Sequence, residues 1–207
     1  MARILAIYGS PRRKGNTATL LKRAVEGATE AGAQVDEIVL RDLKMSPCLE
    51  IYGCKKTGRC VIQDDFQPVY DRLVTCDGLM LASPIFFYTV SSLTKILMDR
   101  CQSLWVKKYL IEKKEFGTSQ FTRKGLFISV GATSGKKLFD GTLLTVKYFF
   151  DPLDMETWRT LLYRNLELEE DVHGHPEYLE EAYLAGRDLA SAIRQSLDLG
   201  HPGSPHP

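Results

Sequence analysis

Hydrophobic and polar positions along the chain fall into blocks that predict strands alternating with helices. Residues 3–8 form a short, nearly continuous apolar run, as expected of a central parallel strand buried on both faces. Leu20, Leu21, Ala24, Val25 and Ala28 then recur at helical spacing, with Asn16 or Thr17 as the N-cap and Gly32 as the stop. Residues 35–40 predict a second strand, and the Asp36-Glu37 interruption suits a sheet edge. No period is evident over residues 41–63, after which Asp64-Asp65 opens a short helix reaching about Cys76. Residues 78–82 and 125–130 are a third and a fourth apolar strand, and Met155 to Tyr163 alternates as a fifth at the other edge.

The segments between these strands carry further helical patterns. A helix reaching about Cys101 turns Leu93, Ile96 and Leu97 inward and leaves Lys95, Asp99 and Arg100 as surface or subunit-contact charges. Residues 103–124 exceed a routine connection and read as an insertion covering a ligand or a partner subunit. A helix around Leu143 to Phe150 and another from Pro176 complete the series, the latter with Ala182, Tyr183, Gly186, Leu189, Ala190 and Ile193 as its buried stripe. Residues 1–199 are expected to form a single domain and residues 200–207 a disordered tail.

Five strands alternating with helices imply an α/β fold with a doubly wound parallel sheet and right-handed crossovers. Ligands in such sheets bind at the carboxyl ends of the strands, near the switch in winding direction. With strand order 2-1-3-4-5, strands one, three and four are adjacent, so residues 9–17, 83–90 and 131–135 converge.

The first of these loops, Gly9-Ser-Pro-Arg-Arg-Lys-Gly-Asn-Thr17, suits a phosphate. Ser10, Asn16 and Thr17 supply donors, Arg12 a bidentate charge, Gly15 a close backbone approach, and the following helix its positive end. The ATP-type loop fails because Lys14 stands where its second glycine belongs, and the dinucleotide fingerprint fails at Ser10-Pro11. A plain Gly/Pro turn into a capped helix accounts for the same residues. The second loop offers Pro84, Ile85, Phe86 and Phe87 to a flat heterocycle, although Phe86, Phe87 and Tyr88 also read as core aromatics. In the third loop, Gly131, Ala132 and Thr133 allow close approach to a polar ring edge. Phosphate at one end and a planar ring at the other describe FMN.

Composition narrows the class. A chain of 207 residues, 44% hydrophobic and 26% charged, sustains one sizeable core, and a net charge of +1 gives no drive toward nucleic acid, so the partner is a small molecule. The sequence has no apolar stretch of membrane-spanning length and no leader before the first strand, so a cytoplasmic protein is expected. Five cysteines in that compartment read as thiols, redox groups or ligands rather than disulfides. Asp64-Asp65 could also be read as a metal pair, but no histidine or second acidic cluster follows at ligand spacing.

GSPRRKGNT, ASPIFFYTVSSLTKILMDR and GATSGKKLF resemble the NADPH-dependent FMN reductase and iron-sulfur flavoprotein group of the flavodoxin-like superfamily, over nearly the whole chain. The resemblance implies FMN phosphate held by Ser10, Arg12, Asn16 and Thr17, and the ring held by residues 84–87 and 131–133. It implies NADPH or NADH as electron donor, a quinone, flavin or metal ion as acceptor, and a homodimer or homotetramer with residues 103–124 and 95–100 at the interface. An electron carrier working with a ferredoxin-like partner is the alternative. The group's iron-sulfur members resemble C-x2-C-x2-C with a fourth cysteine following. Here Cys48, Cys54 and Cys60 match three positions and Ile51 occupies the second, so a four-cysteine cluster is not expected and no metal residue is assigned. The flavin supplies the redox chemistry, and no side chain is assigned a catalytic role.

Overall fold

The computed structural model describes residues 1–116, 121 and 123–199. The expected tail, residues 200–207, lies outside them, as do residues 117–120 and 122 of the expected insertion. Five parallel strands form one sheet in the order β2-β1-β3-β4-β5, the order expected. They are β1 (Arg3–Tyr8), β2 (Gln34–Val39), β3 (Gly78–Pro84), β4 (Arg123–Val130) and β5 (Met155–Tyr163). The helices are α1 (Asn16–Glu30), α2 (Cys54–Thr57), α3 (Phe66–Thr75), α4 (Ser92–Arg100), α5 (Gln102–Trp105), α6 (Asp140–Phe150) and α7 (Pro176–Leu199). Among the described residues no helix is long and apolar enough to cross a membrane.

The unbroken apolarity of the central strands follows from helices covering both faces. Ile4, Ala6, Met80, Ala82, Leu126 and Ile128 join the core beneath α1 and α7, while Leu5, Ile7, Leu79, Leu81 and Phe127 join the core on the other face. Edge strand β2 buries only Ile38 fully, consistent with its polar pattern.

Three expectations are corrected. Arg100 is not a surface charge: its side chain is 0% exposed and pairs with Asp64 at 2.7 Å. Lys95 and Asp99 do form an exposed i,i+4 pair. The described part of residues 103–124 lies away from the carboxyl ends of the strands, where ligands bind in such sheets. It continues α5 through a π-helical turn, Val106–Ile111, which packs against α2 and lies near Arg123 and Asp154 at the amino ends of β4 and β5. Buried Lys108 anchors it there, 2.9 Å from Asp154, and Trp105, Tyr109 and Phe116 form an aromatic cluster. Finally, α1 is not capped by Asn16 or Thr17. Its N-cap is Gly15, with no side-chain hydrogen bond; Ala18 N donates to Gly15 O at 2.9 Å, and the Asn16 and Thr17 N–H groups are left for another acceptor.

Candidate functional site

The loops after β1, β3 and β4 meet around a cleft of about 340 Å³ at the carboxyl end of the sheet. A ladder of buried hydroxyls fixes their spacing. Ser129 Oγ donates to Ser83 O at 2.8 Å, Ser83 Oγ accepts from Ser91 N at 2.9 Å, and Ser91 Oγ donates to Gly9 O at 2.5 Å. Ser91 also caps α4 by accepting from Thr94 N. Gly9 N in turn donates to Ala82 O at 2.7 Å, and a Cβ at Gly9 would overlap the Thr94 hydroxyl. The strand ends are therefore tied across β1, β3 and β4 by residues whose polarity would otherwise be misplaced in a core.

Of the expected residues, Ser10, Arg12, Gly15, Asn16, Thr17, Pro84, Ile85, Phe86 and Ala132 line the cleft together. Ser10 Oγ accepts from Arg12 N at 3.0 Å, which curls the chain so that the loop's N–H groups and the start of α1 face inward. Gly15 has an ordinary φ of −71, so a tight turn is not what demands glycine here. The constraint is room, since a Cβ would lie 3.0 Å from Arg12 Cβ and 3.4 Å from Ser10 Oγ. The Asn16 side chain works as a strap: Nδ2 donates to Leu168 O at 2.7 Å and Oδ1 accepts from Val172 N at 3.1 Å.

Phe87, Gly131 and Thr133 are not among the residues that line the cleft. Gly131 is buried, donating to Tyr163 O at 2.9 Å, and its missing Cβ makes space for Leu138 rather than for a ligand. Thr133 lies exposed on the loop beyond. Phe87 is 101% exposed because residues 86–89 form a two-residue hairpin turn. Phe86 N donates to Thr89 O at 2.9 Å and Thr89 N to Phe86 O at 3.1 Å, with Phe87 at φ 48 and Tyr88 at φ 61. This is the turn that usually takes Asn-Gly, and a bulky residue in the left-handed region costs about 1–3 kcal/mol.

Sequence reading missed Pro11, Val130, Leu166 and Glu167, which also line the cleft. The last two arrive from the segment after β5, which crosses the top of the sheet to the first loop. Arg12 Nη1 donates to Glu167 O at 3.0 Å, leaving its other guanidinium N–H groups for the cleft. Asp171 accepts from Glu167 N and Leu168 N at 2.8 and 2.7 Å and holds this crossing segment in shape.

The five cysteines are free thiols, with Cys76 and Cys101 buried in the core beneath α3 and α4. Burial pushes the Cys101 thiol far up, and Cys76 as well despite Arg123 Nη2 at 3.1 Å. Cys60 Sγ accepts from Arg100 Nε at 3.2 Å, and burial raises the Cys54 thiol. Ile51 is exposed. Among the described residues no three His, Cys, Asp or Glu side chains are grouped to hold a metal ion.

Comparison with known proteins is consistent with this geometry. The family model described as NADPH-dependent FMN reductase matches residues 2–146. An iron-sulfur flavoprotein of Methanocaldococcus jannaschii is 37% identical over 49% of this chain and 53% of its own. The chain thus spans about half the length of that relative. A second iron-sulfur flavoprotein of the same organism is 30% identical over 72% of this chain and 70% of its own. Among solved structures, an NAD(P)H:quinone oxidoreductase from Methanothermobacter marburgensis superposes with a TM-score of 0.65 over 91% of this chain and 98% of its own, at 15% identity. An archaeal flavodoxin superposes with a TM-score of 0.54 over 94% of this chain and 99% of its own, at 14% identity. These two show the fold.

Proposed function

This chain belongs to the NADPH-dependent FMN reductase family, and from that membership and the cleft we propose that it is an FMN-dependent oxidoreductase. Residues 1–199 act as one FMN-binding domain that takes electrons from NADPH or NADH and passes them to a small acceptor. The observation that carries this reading is the joining, in one cleft, of an uncapped helix start with Ser10 and Arg12 at one end and the apolar wall of Pro84, Ile85 and Phe86 at the other.

The donor set fits the cofactor. Backbone N–H groups at the start of α1, the Ser10 hydroxyl, Thr17 and the Arg12 guanidinium would hold the phosphate, and the dipole of a 15-residue helix favours its charge. Pro84, Ile85 and Phe86 would hold the ring, with Val130, the sheet partner of Pro84, and Ala132 beside them. When bound, FMN supplies hydride acceptance and electron transfer. The chain's part is to bind, to orient and to keep water from the apolar wall, and no acid or base of its own is required. An iron-sulfur cluster is no part of the proposal, because Ile51 cannot coordinate iron and the Cys60 sulfur is taken up by Arg100.

FMN titration followed by anaerobic mixing with NADPH or NADH tests the reading. Bleaching of the bound flavin by either nicotinamide is expected. Bleaching by reduced ferredoxin alone would replace the reductase with an electron carrier. Arg12→Ala should weaken FMN binding by about 1–3 kcal/mol, read as the dissociation constant from flavin fluorescence, because one charged hydrogen-bond donor is lost. Iron and sulfide assayed on anaerobically purified protein should be absent in stoichiometric amounts.

We place the subunit contact of a homo-oligomer on the cleft between α4 and α6, where Tyr148, which is exposed, and Trp105 line the same surface. Sedimentation of the Tyr148→Glu variant as a smaller species is the expected outcome.

A further inference from the structure

We propose that Glu167 is a cofactor ligand whose carboxylate accepts hydrogen bonds from the hydroxyls of the ribityl chain that joins the flavin ring to its phosphate. The inference rests on the FMN reading of the cleft and deepens it by assigning a residue to the middle of the cofactor. Glu167 belongs to the segment after β5, beyond residue 146, where the match to the family model ends. Two bonds fix where that segment runs. Leu166 N donates to Gly131 O at 3.3 Å, on the loop after β4, and Glu167 O accepts from Arg12 Nη1 at 3.0 Å, on the loop after β1. Residues 166 and 167 therefore bridge the ring end of the cleft to its phosphate end, and a flavin spanning the two passes them with its ribityl chain. Asn16 holds the bridge in place, since it is 7% exposed and both polar atoms of its side chain are committed to the backbone of Leu168 and Val172.

One group on the bridge is available to a ligand. Leu166 is buried, and the Glu167 backbone is used on both sides, its N–H by Asp171 at 2.8 Å and its carbonyl by Arg12. The Glu167 residue is exposed and lines the cleft, and among the described residues no hydrogen bond or ion pair occupies its carboxylate. An ionised carboxylate only accepts hydrogen bonds, and those from hydroxyls are short and charge-assisted. It repels a phosphate and gains nothing from the face of a ring, whereas each ribityl hydroxyl is a donor. The chemistry of the side chain thus matches the part of FMN that the bridge overlies.

Titrations read by flavin fluorescence compare FMN with its phosphopentyl analogue, which keeps the ring and the phosphate and lacks the chain hydroxyls. Both ligands carry the same charge, so repulsion of the phosphate cancels in the ratio of their dissociation constants. The preference of the unsubstituted protein for FMN over the analogue should fall about tenfold in Glu167→Leu and about threefold in Glu167→Gln, which keeps an uncharged acceptor. The Tm of both variants should stay within about 2 °C, because the carboxylate bonds to nothing in the fold. If leucine disturbs folding, the Glu167→Gln ratio decides alone. An unchanged preference would overturn the proposal, and so would equal weakening of both ligands, which would mean that the residue only shapes the cleft. Failure of the unsubstituted chain to take up FMN would overturn the FMN reading and this inference with it. FMN uptake with an unchanged preference would overturn this inference alone.

Discussion

Replacing Arg100 with methionine is expected to destabilise the protein by about 3–5 kcal/mol, the cost of leaving the other member of a buried ion pair uncompensated. Arg100 donates to Asp64 through both nitrogens, at 2.7 and 3.0 Å, to Ser46 O at 2.9 Å, to Ile62 O at 3.2 Å and to Cys60 Sγ. Its guanidinium also lies 4.6 Å from the centre of the Phe66 ring. One side chain thus closes residues 46–64 onto the end of α4, and methionine can replace its volume but none of its donors. Urea unfolding measures the loss, and Asp64→Leu combined with Arg100→Met should recover part of it because both charges are then removed.

The pair also sets a pH dependence. Burial pushes the Asp64 carboxyl up, but hydrogen bonds from Arg100 and from the Ser46 and Phe66 N–H groups outweigh it and hold the pKa below the ordinary 3.8. A native pKa lower than the unfolded one stabilises the fold fully above the unfolded value, and that stabilisation is lost as pH falls through the native value. The stability difference between the unsubstituted protein and Arg100→Met should therefore be level from about pH 5 to 8 and narrow below about pH 4. A difference that stays constant into acid would mean that the lost packing, not the ion pair, dominates.

The second large effect is expected at the crossing of α1 and α7. Gly186 lies against the Ala24 backbone, where a Cβ would overlap the carbonyl oxygen and sit 2.8 Å from Ala24 Cα. Reciprocally, a Cβ on Gly27 would sit 2.9 Å from the Tyr183 carbonyl carbon. Both obstructions are backbone, so no rotamer change relieves them. Gly186→Val should cost about 3 kcal/mol or more, the upper end of overpacking, and lower Tm by about 6–12 °C. Because α1 begins at the proposed phosphate cradle, FMN affinity should fall with it, whereas Arg100→Met acts on the opposite face of the sheet and should leave affinity nearly unchanged. Calorimetry with a flavin titration of each variant separates the two, and equal affinity losses would refute that separation.

The strand order, the alternation of elements and most of the cleft were legible in the sequence because local pattern determines them. A run such as 78–82 can be apolar at every position only where both faces are covered, and a Gly-Ser-Pro loop between strand and helix places donors wherever that unit folds. Strand five was bounded correctly for the same reason, since alternation is a property of neighbouring residues.

What only the tertiary structure decided are features whose partners lie far along the chain or whose backbone departs from propensity. Leu166 and Glu167 reach the cleft through bonds to Arg12 and Asn16 spanning about 150 residues, and no local period marks them. Arg100 reads as a surface charge at a helix end until Asp64 and the carbonyls of Ser46 and Ile62 surround it. Phe87 reads as one more apolar residue of a ring-binding loop, and only the strained turn directs it outward. Amphipathic periodicity records which face of an element is covered, since burial of that face supplies most of the folding free energy. It does not record which distant carbonyl a donor will meet or where strain will be held, because these depend on loops closing in three dimensions.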